Sequence, residues 1–148
     1  MRRVYVVLTG LMLAAVVLQF YFAAVGAFAK PQVDTSYRLH DIDGGMVIPL
    51  LAILATIAAA LLKLPRRQIG LTILPLGLVV VQFVIVLLGD ALSTNNGDKT
   101  TPIALIILGL HAVNGLAVMA VAGTVFARAR RVGAAATLTV SSRSEIVR

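Results

Sequence analysis

Residues 69–89 read Ile69-Gly70-Leu71-Thr72-Ile73-Leu74-Pro75-Leu76-Gly77-Leu78-Val79-Val80-Val81-Gln82-Phe83-Val84-Ile85-Val86-Leu87-Leu88-Gly89, without one charged side chain. At about 1.5 Å of rise per residue, a helix of this length crosses a hydrocarbon layer of about 30 Å. The apolar residues recur on every face, so no stripe is left for water. Three more runs of this kind, over 4–29, 44–62 and 103–127, surround it. Across the 148 residues, 59% are hydrophobic and 13% charged, with a mean hydropathy of +0.99. Those values exclude a water-exposed globular enzyme and a disordered chain alike. Backbone in lipid must satisfy its own hydrogen bonds, so the runs are expected as helices. The expected fold is all-α: an integral membrane four-helix bundle over 1–127, followed by a basic, flexible cytoplasmic tail over 128–148.

Charge placement orients the bundle. Of thirteen basic residues, ten lie at the N-terminus (Arg2, Arg3), in the middle loop (Lys63, Arg66, Arg67) and in the tail (Arg128, Arg130, Arg131, Arg143, Arg148), while five of the six acids lie in the other two loops. The positive-inside rule then places both termini in the cytoplasm and the whole chain in the plasma membrane as a multi-pass protein. The same rule accounts for the net charge of +7, and with no basic stripe interleaved with aromatics, nucleic acid is excluded as a partner. Ala27-Phe28-Ala29 imitates a signal-peptidase site, but the run before it is longer than a signal's apolar core, so the first helix is expected to be retained.

The chain carries an internal repeat. Val16-Val17-Leu18-Gln19-Phe20 with Gly26 matches Val79-Val80-Val81-Gln82-Phe83 with Gly89, and Leu39-His40-Asp41-Ile42-Asp43-Gly44 matches Leu110-His111-Ala112-Val113-Asn114-Gly115. Each histidine stands nine residues after a proline, Pro31 or Pro102. The reading is two tandem αα-hairpins, parallel to each other and related by an axis along the membrane normal. Both histidines of the chain then face one another across that axis.

A membrane histidine ordinarily makes an interhelical hydrogen bond. A symmetric pair offers more, because two facing imidazoles are what a six-coordinate haem iron needs. Gly44 and Gly115 follow the histidines by four residues and share their helix face, leaving a flat area where a porphyrin could lie. With zero cysteines, a haem here is held without covalent attachment. Asp34 to Asp43 is too polar for lipid, so His40 belongs on an outward extension of the second helix and the site near the outer surface. Arg38 is the candidate counter-charge for haem propionates, and an ordinary interfacial residue otherwise. Counted from the basic residues at the inner ends, Lys63 and Arg128, the two histidines differ in depth by roughly 9 Å on straight helices. Gln19 and Gln82, near mid-membrane, are expected to face the bundle.

These features resemble one four-helix half of haem A synthase and, more loosely, small membrane cytochromes b. Leu18 to Phe28 followed by His40 is also similar to a group of uncharacterised bacterial four-span proteins of this length. In the synthase the second-helix histidine belongs to a Glu-x-x-His-Arg motif. Here Tyr37 holds the glutamate's place and Asp41 the arginine's, so the resemblance implies haem ligation by His40 and His111 without the synthase's oxidation chemistry. Two classes of function follow. One is a haem b protein passing electrons, with a quinone or a redox protein as partner besides the lipid bilayer. The other is a non-catalytic subunit or scaffold whose histidines only hydrogen-bond. A solute permease is disfavoured, because no Asp, Glu, Lys or Arg lies within an apolar run. Hydrolase and phosphate-binding signatures are absent from the sequence.

Overall fold

A computed structural model describes the backbone of residues 1–33, 35–93 and 100–146, and the side chains of these as far as Val132. Among the described residues every regular element is helical. Helix α1 is Arg2–Phe28, α2 is Arg38–Leu61, α3 is Arg66–Ala91 and α4 is Pro102–Ile146. All four are long and apolar enough to cross a membrane, α4 through its segment Pro102–Val132. Each packs on the next and α4 closes on α1, so the four form a ring.

Local chemistry explains the boundaries. Thr101 caps α4, its hydroxyl accepting from the Ala104 amide at 3.2 Å, and Pro102 takes the first helical position, where a missing N–H costs nothing. At the opposite end of the bundle, α2 stops in a Schellman turn. The Lys63 amide donates to Ala60 O at 2.8 Å and the Leu64 amide to Ala59 O at 3.2 Å, with Lys63 left-handed at φ 53°. Within α2 the residues Asp43–Val47 form a π turn between α-helical segments Arg38–Ile42 and Ile48–Leu61. Pro49 follows directly, and a proline brings no N–H to the preceding turn and crowds the carbonyl four residues back, here that of Gly45.

The core is built from small and medium side chains. Met12, Ala15, Val16, Ile48, Ala52, Val79, Val118, Ala122 and Val125 form one buried cluster, and Tyr5, Ala58, Ala59 and Ala129 a second toward the start of α1 and the end of α2. Facing outward are large apolar groups, among them Phe28 at 83%, Leu87 at 68% and Ile106 at 68% exposure. The bundle thus has an apolar outside around a core of alanine and valine, the reverse of what water favours.

The second helix begins at Arg38, six residues before the apolar run, so His40 lies on an extension of that helix as expected. The backbone of α4 runs on as helix to Ile146, through residues whose composition suggests an unpacked tail; residues 147–148 lie outside the described ones.

Candidate functional site

The half of the bundle toward the starts of α2 and α4 gathers the matched polar residues. His40, in the first turns of α2, and His111, in the third turn of α4, approach with ring centroids 5.9 Å apart and planes inclined by 45°. Both are half-buried. The Tyr37 ring meets His40 edge-on at 6.3 Å.

Gln19 on α1 engages both nitrogens of His40. His40 Nδ1 donates to the Gln19 backbone carbonyl at 3.2 Å, and the Gln19 carboxamide Nε2 donates to His40 Nε2 at 3.3 Å. Those two contacts define a neutral imidazole carrying its proton on Nδ1 and a lone pair on Nε2. In the second hairpin, Gln82 Nε2 donates to the His111 carbonyl at 2.7 Å. Asn114 Nδ2 donates to Leu78 O at 2.9 Å and to Gln82 Oε1. Among the described residues, three buried polar atoms have no partner: Gln19 Oε1, Asp43 Oδ2 and His111 Nδ1.

The glycines show what their missing side chains make room for. A Cβ on Gly44 would strike the Gln19 carboxamide, and one on Gly115 would lie 3.4 Å from Phe20 Cζ and 3.8 Å from Gln82 Nε2. The surface beside each glycine, expected to be free for a porphyrin, is therefore covered by a glutamine or a phenylalanine. Other contacts follow the repeat. Gly26 receives the Tyr37 ring, three residues before His40, and Gly89 receives Leu108, three before His111, each within 3 Å of a hypothetical Cβ. Between the hairpins Phe20 lies on Gly115, while Phe83 lies 3.7 Å from the Cβ position of Gly45 rather than of Gly44. The π turn explains that offset. It inserts one residue into α2, so Gly44 and Gly45 divide between them the two contacts that Gly115 makes alone.

Arg38 is exposed in the first turn of α2. Standing two residues before His40, it lies about 200° around the helix from it. A second polar assembly, which the sequence reading missed, ties the opposite end of the bundle. Thr72 Oγ1 donates to Gln68 O at 2.8 Å, so the Tyr5 hydroxyl donates to Thr72 Oγ1 at 2.9 Å and accepts from Gln68 Nε2 at 3.1 Å. Arg128 Nη1 completes the chain on Gln68 Oε1 at 3.4 Å. Its signal was present as polar pairs four residues apart, Tyr5 with Thr9 and Gln68 with Thr72, at the N-terminal ends of two apolar helices.

Residues 19–90 match a family of unknown function, DUF6220. The matched interval is just under half of the chain; it includes Gln19, His40, Asp43 and Gln82 and stops before His111 and Asn114. No curated protein and no solved structure matches the sequence.

Proposed function

We propose that this chain is an integral membrane protein whose two tandem hairpins hold one b-type haem between His40 and His111 near the outer face, for transfer of single electrons. The observation that carries the reading is the approach of the only two histidines, from separate hairpins, to 5.9 Å between ring centroids. Two imidazoles on one iron, each with a metal–nitrogen bond of about 2 Å, have centroids about 6 Å apart. The donor set fits in a second respect. The Gln19 carbonyl holds the proton of His40 on Nδ1, which leaves Nε2 basic and oriented, as metal-bound imidazoles require.

Haem bound here supplies a one-electron carrier. The chain's own residues supply orientation: Gln19 fixes the ring of His40, and Gln82 and Asn114 brace α4 at the level of His111. For Nε2 of His40 to ligate, the Gln19 carboxamide has to release it, and that movement also uncovers Gly44. Arg38, exposed on the side of α2 turned away from His40, stays outside this arrangement. A quinone in the bilayer or a redox protein at the outer surface is the partner class.

The apolar exterior supports membrane insertion, and the charge distribution supports a plasma-membrane location with cytoplasmic termini. The reciprocal contacts of Phe20 with Gly115 and Phe83 with Gly45 support the tandem repeat. The resemblance to half of haem A synthase points the same way. One observation favours a second reading, a non-catalytic subunit: both nitrogens of His40 are engaged by Gln19, as in a histidine that only hydrogen-bonds. Visible absorption of detergent-purified protein titrated with haem decides between them. The haem reading predicts saturation at one haem per chain and loss of the bound spectrum in His40→Ala and in His111→Ala. An unchanged spectrum of free haem in the wild type overturns it and leaves the subunit.

A further inference from the structure

The two hairpins differ at one chemically decisive position. In the second, Asn114 stands three residues after the histidine and its amide donates to Gln82 Oε1, so the glutamine is satisfied. In the first, the matched residue is Asp43, whose carboxylate has nothing to donate. The consequence is visible in the structure: Gln19 Oε1 and Asp43 Oδ2 are both buried acceptors without a donor. Asp43 is only 6% exposed. Gln19 packs on Gly44, the next residue in the π turn, so carboxamide and carboxylate belong to one small region of α1 and α2.

A buried carboxylate needs a compensating charge or donor. His40 provides none as it is hydrogen-bonded here, since its Nδ1 proton goes to the Gln19 carbonyl and its Nε2 accepts. We infer that Asp43 and Gln19 form a binding site for a monovalent cation of the sodium type. The site supplies hard oxygen donors and one negative charge, too little for calcium, which collects several carboxylates. This inference concerns the haem-free chain, in which the Gln19 carboxamide rests on His40 and Gly44.

Thermal unfolding of the purified full chain, followed by circular dichroism in sodium, potassium or choline chloride at constant ionic strength, tests it. A ligand bound by the folded state alone raises the midpoint in a saturable manner. Wild type is expected to gain several degrees in sodium over choline. Asp43→Asn rebuilds in the first hairpin the Gln–Asn pair already present in the second, so it is expected to fold, lose the sodium dependence and match or exceed wild type in choline. The wild-type measurement stands even if that variant fails to accumulate. A midpoint that ignores the choice of cation overturns the inference, as does a sodium effect retained by Asp43→Asn. A midpoint that follows pH and not cations also overturns it, assigning the compensating charge to a proton on Asp43 or His40.

Discussion

Replacing Tyr5 by Phe removes one oxygen from the end of the bundle where α1 and α3 begin, and nothing else. Tyr5 and Thr72 are both fully buried, and the hydroxyl sits between Thr72 Oγ1 at 2.9 Å and Gln68 Nε2 at 3.1 Å. Two hydrogen bonds are lost. Thr72 keeps its bond to the Gln68 carbonyl at 2.8 Å, while Gln68 Nε2 is left without its acceptor. Hydrogen bonds of this kind contribute about 1 kcal/mol net in soluble proteins and somewhat less between helices in lipid. The expected loss is about 1–2 kcal/mol, or about 3–6 °C in the unfolding midpoint of a chain this size. Thermal unfolding in mild detergent reads it, and a double-mutant cycle with Thr72→Val isolates the Tyr5–Thr72 term. A loss below about 0.3 kcal/mol, or effects of the two substitutions that simply add, would refute the assignment of this network as the clamp joining α1 to α3.

Three other outcomes follow from the structure. Gly26→Ala is expected to destabilise by about 1–3 kcal/mol, because its Cβ would stand 2.9 Å from the Ser36 carbonyl and 2.6 Å from the Tyr37 ring, whereas Gly77→Ala, with nothing within 4 Å, is expected to stabilise α3 by about 1 kcal/mol; equal midpoints for the two variants would contradict both. Lys63→Gly relieves the left-handed residue of the Schellman turn and is expected to add about 0.5–1 kcal/mol in the same assay; a loss of stability would show that the Lys63 side chain matters more than its backbone. The chain has zero cysteines, so cysteines introduced singly at Thr35 and Arg67 report topology without background. An impermeant thiol reagent is expected to label the first in intact cells and the second only after lysis, and labelling of both in intact cells would sink the proposed orientation.

Much of this architecture is legible in the chain itself. Four uninterrupted apolar runs fix the helices, because length and lack of charge leave no other way to satisfy the backbone. The matched Gly26 and Gly89 occupy matched places in the structure, each receiving the side chain three residues before its hairpin's histidine. Three features escaped for identifiable reasons. The depth difference between the histidines was counted from Arg128 as a helix end, but α4 continues past it and Arg128 turns to Gln68 within the bundle. The π turn has no residue signature beyond Pro49 and the Gly44–Gly45 pair, and periodicity arguments assume 3.6 residues per turn throughout. The role of Gly44 was read as space for a ligand, when one turn along a helix face cannot tell whether a neighbouring helix, here through Gln19, fills that space.

Electron paramagnetic resonance of the haem-loaded ferric protein tests the central claim most directly, because it reports how many imidazoles hold the iron. The account predicts a six-coordinate, low-spin signal for the wild type, converting to high-spin or vanishing in His40→Ala and in His111→Ala alike. A high-spin wild-type signal, or a low-spin signal that survives either substitution, would contradict a site shared by the two histidines.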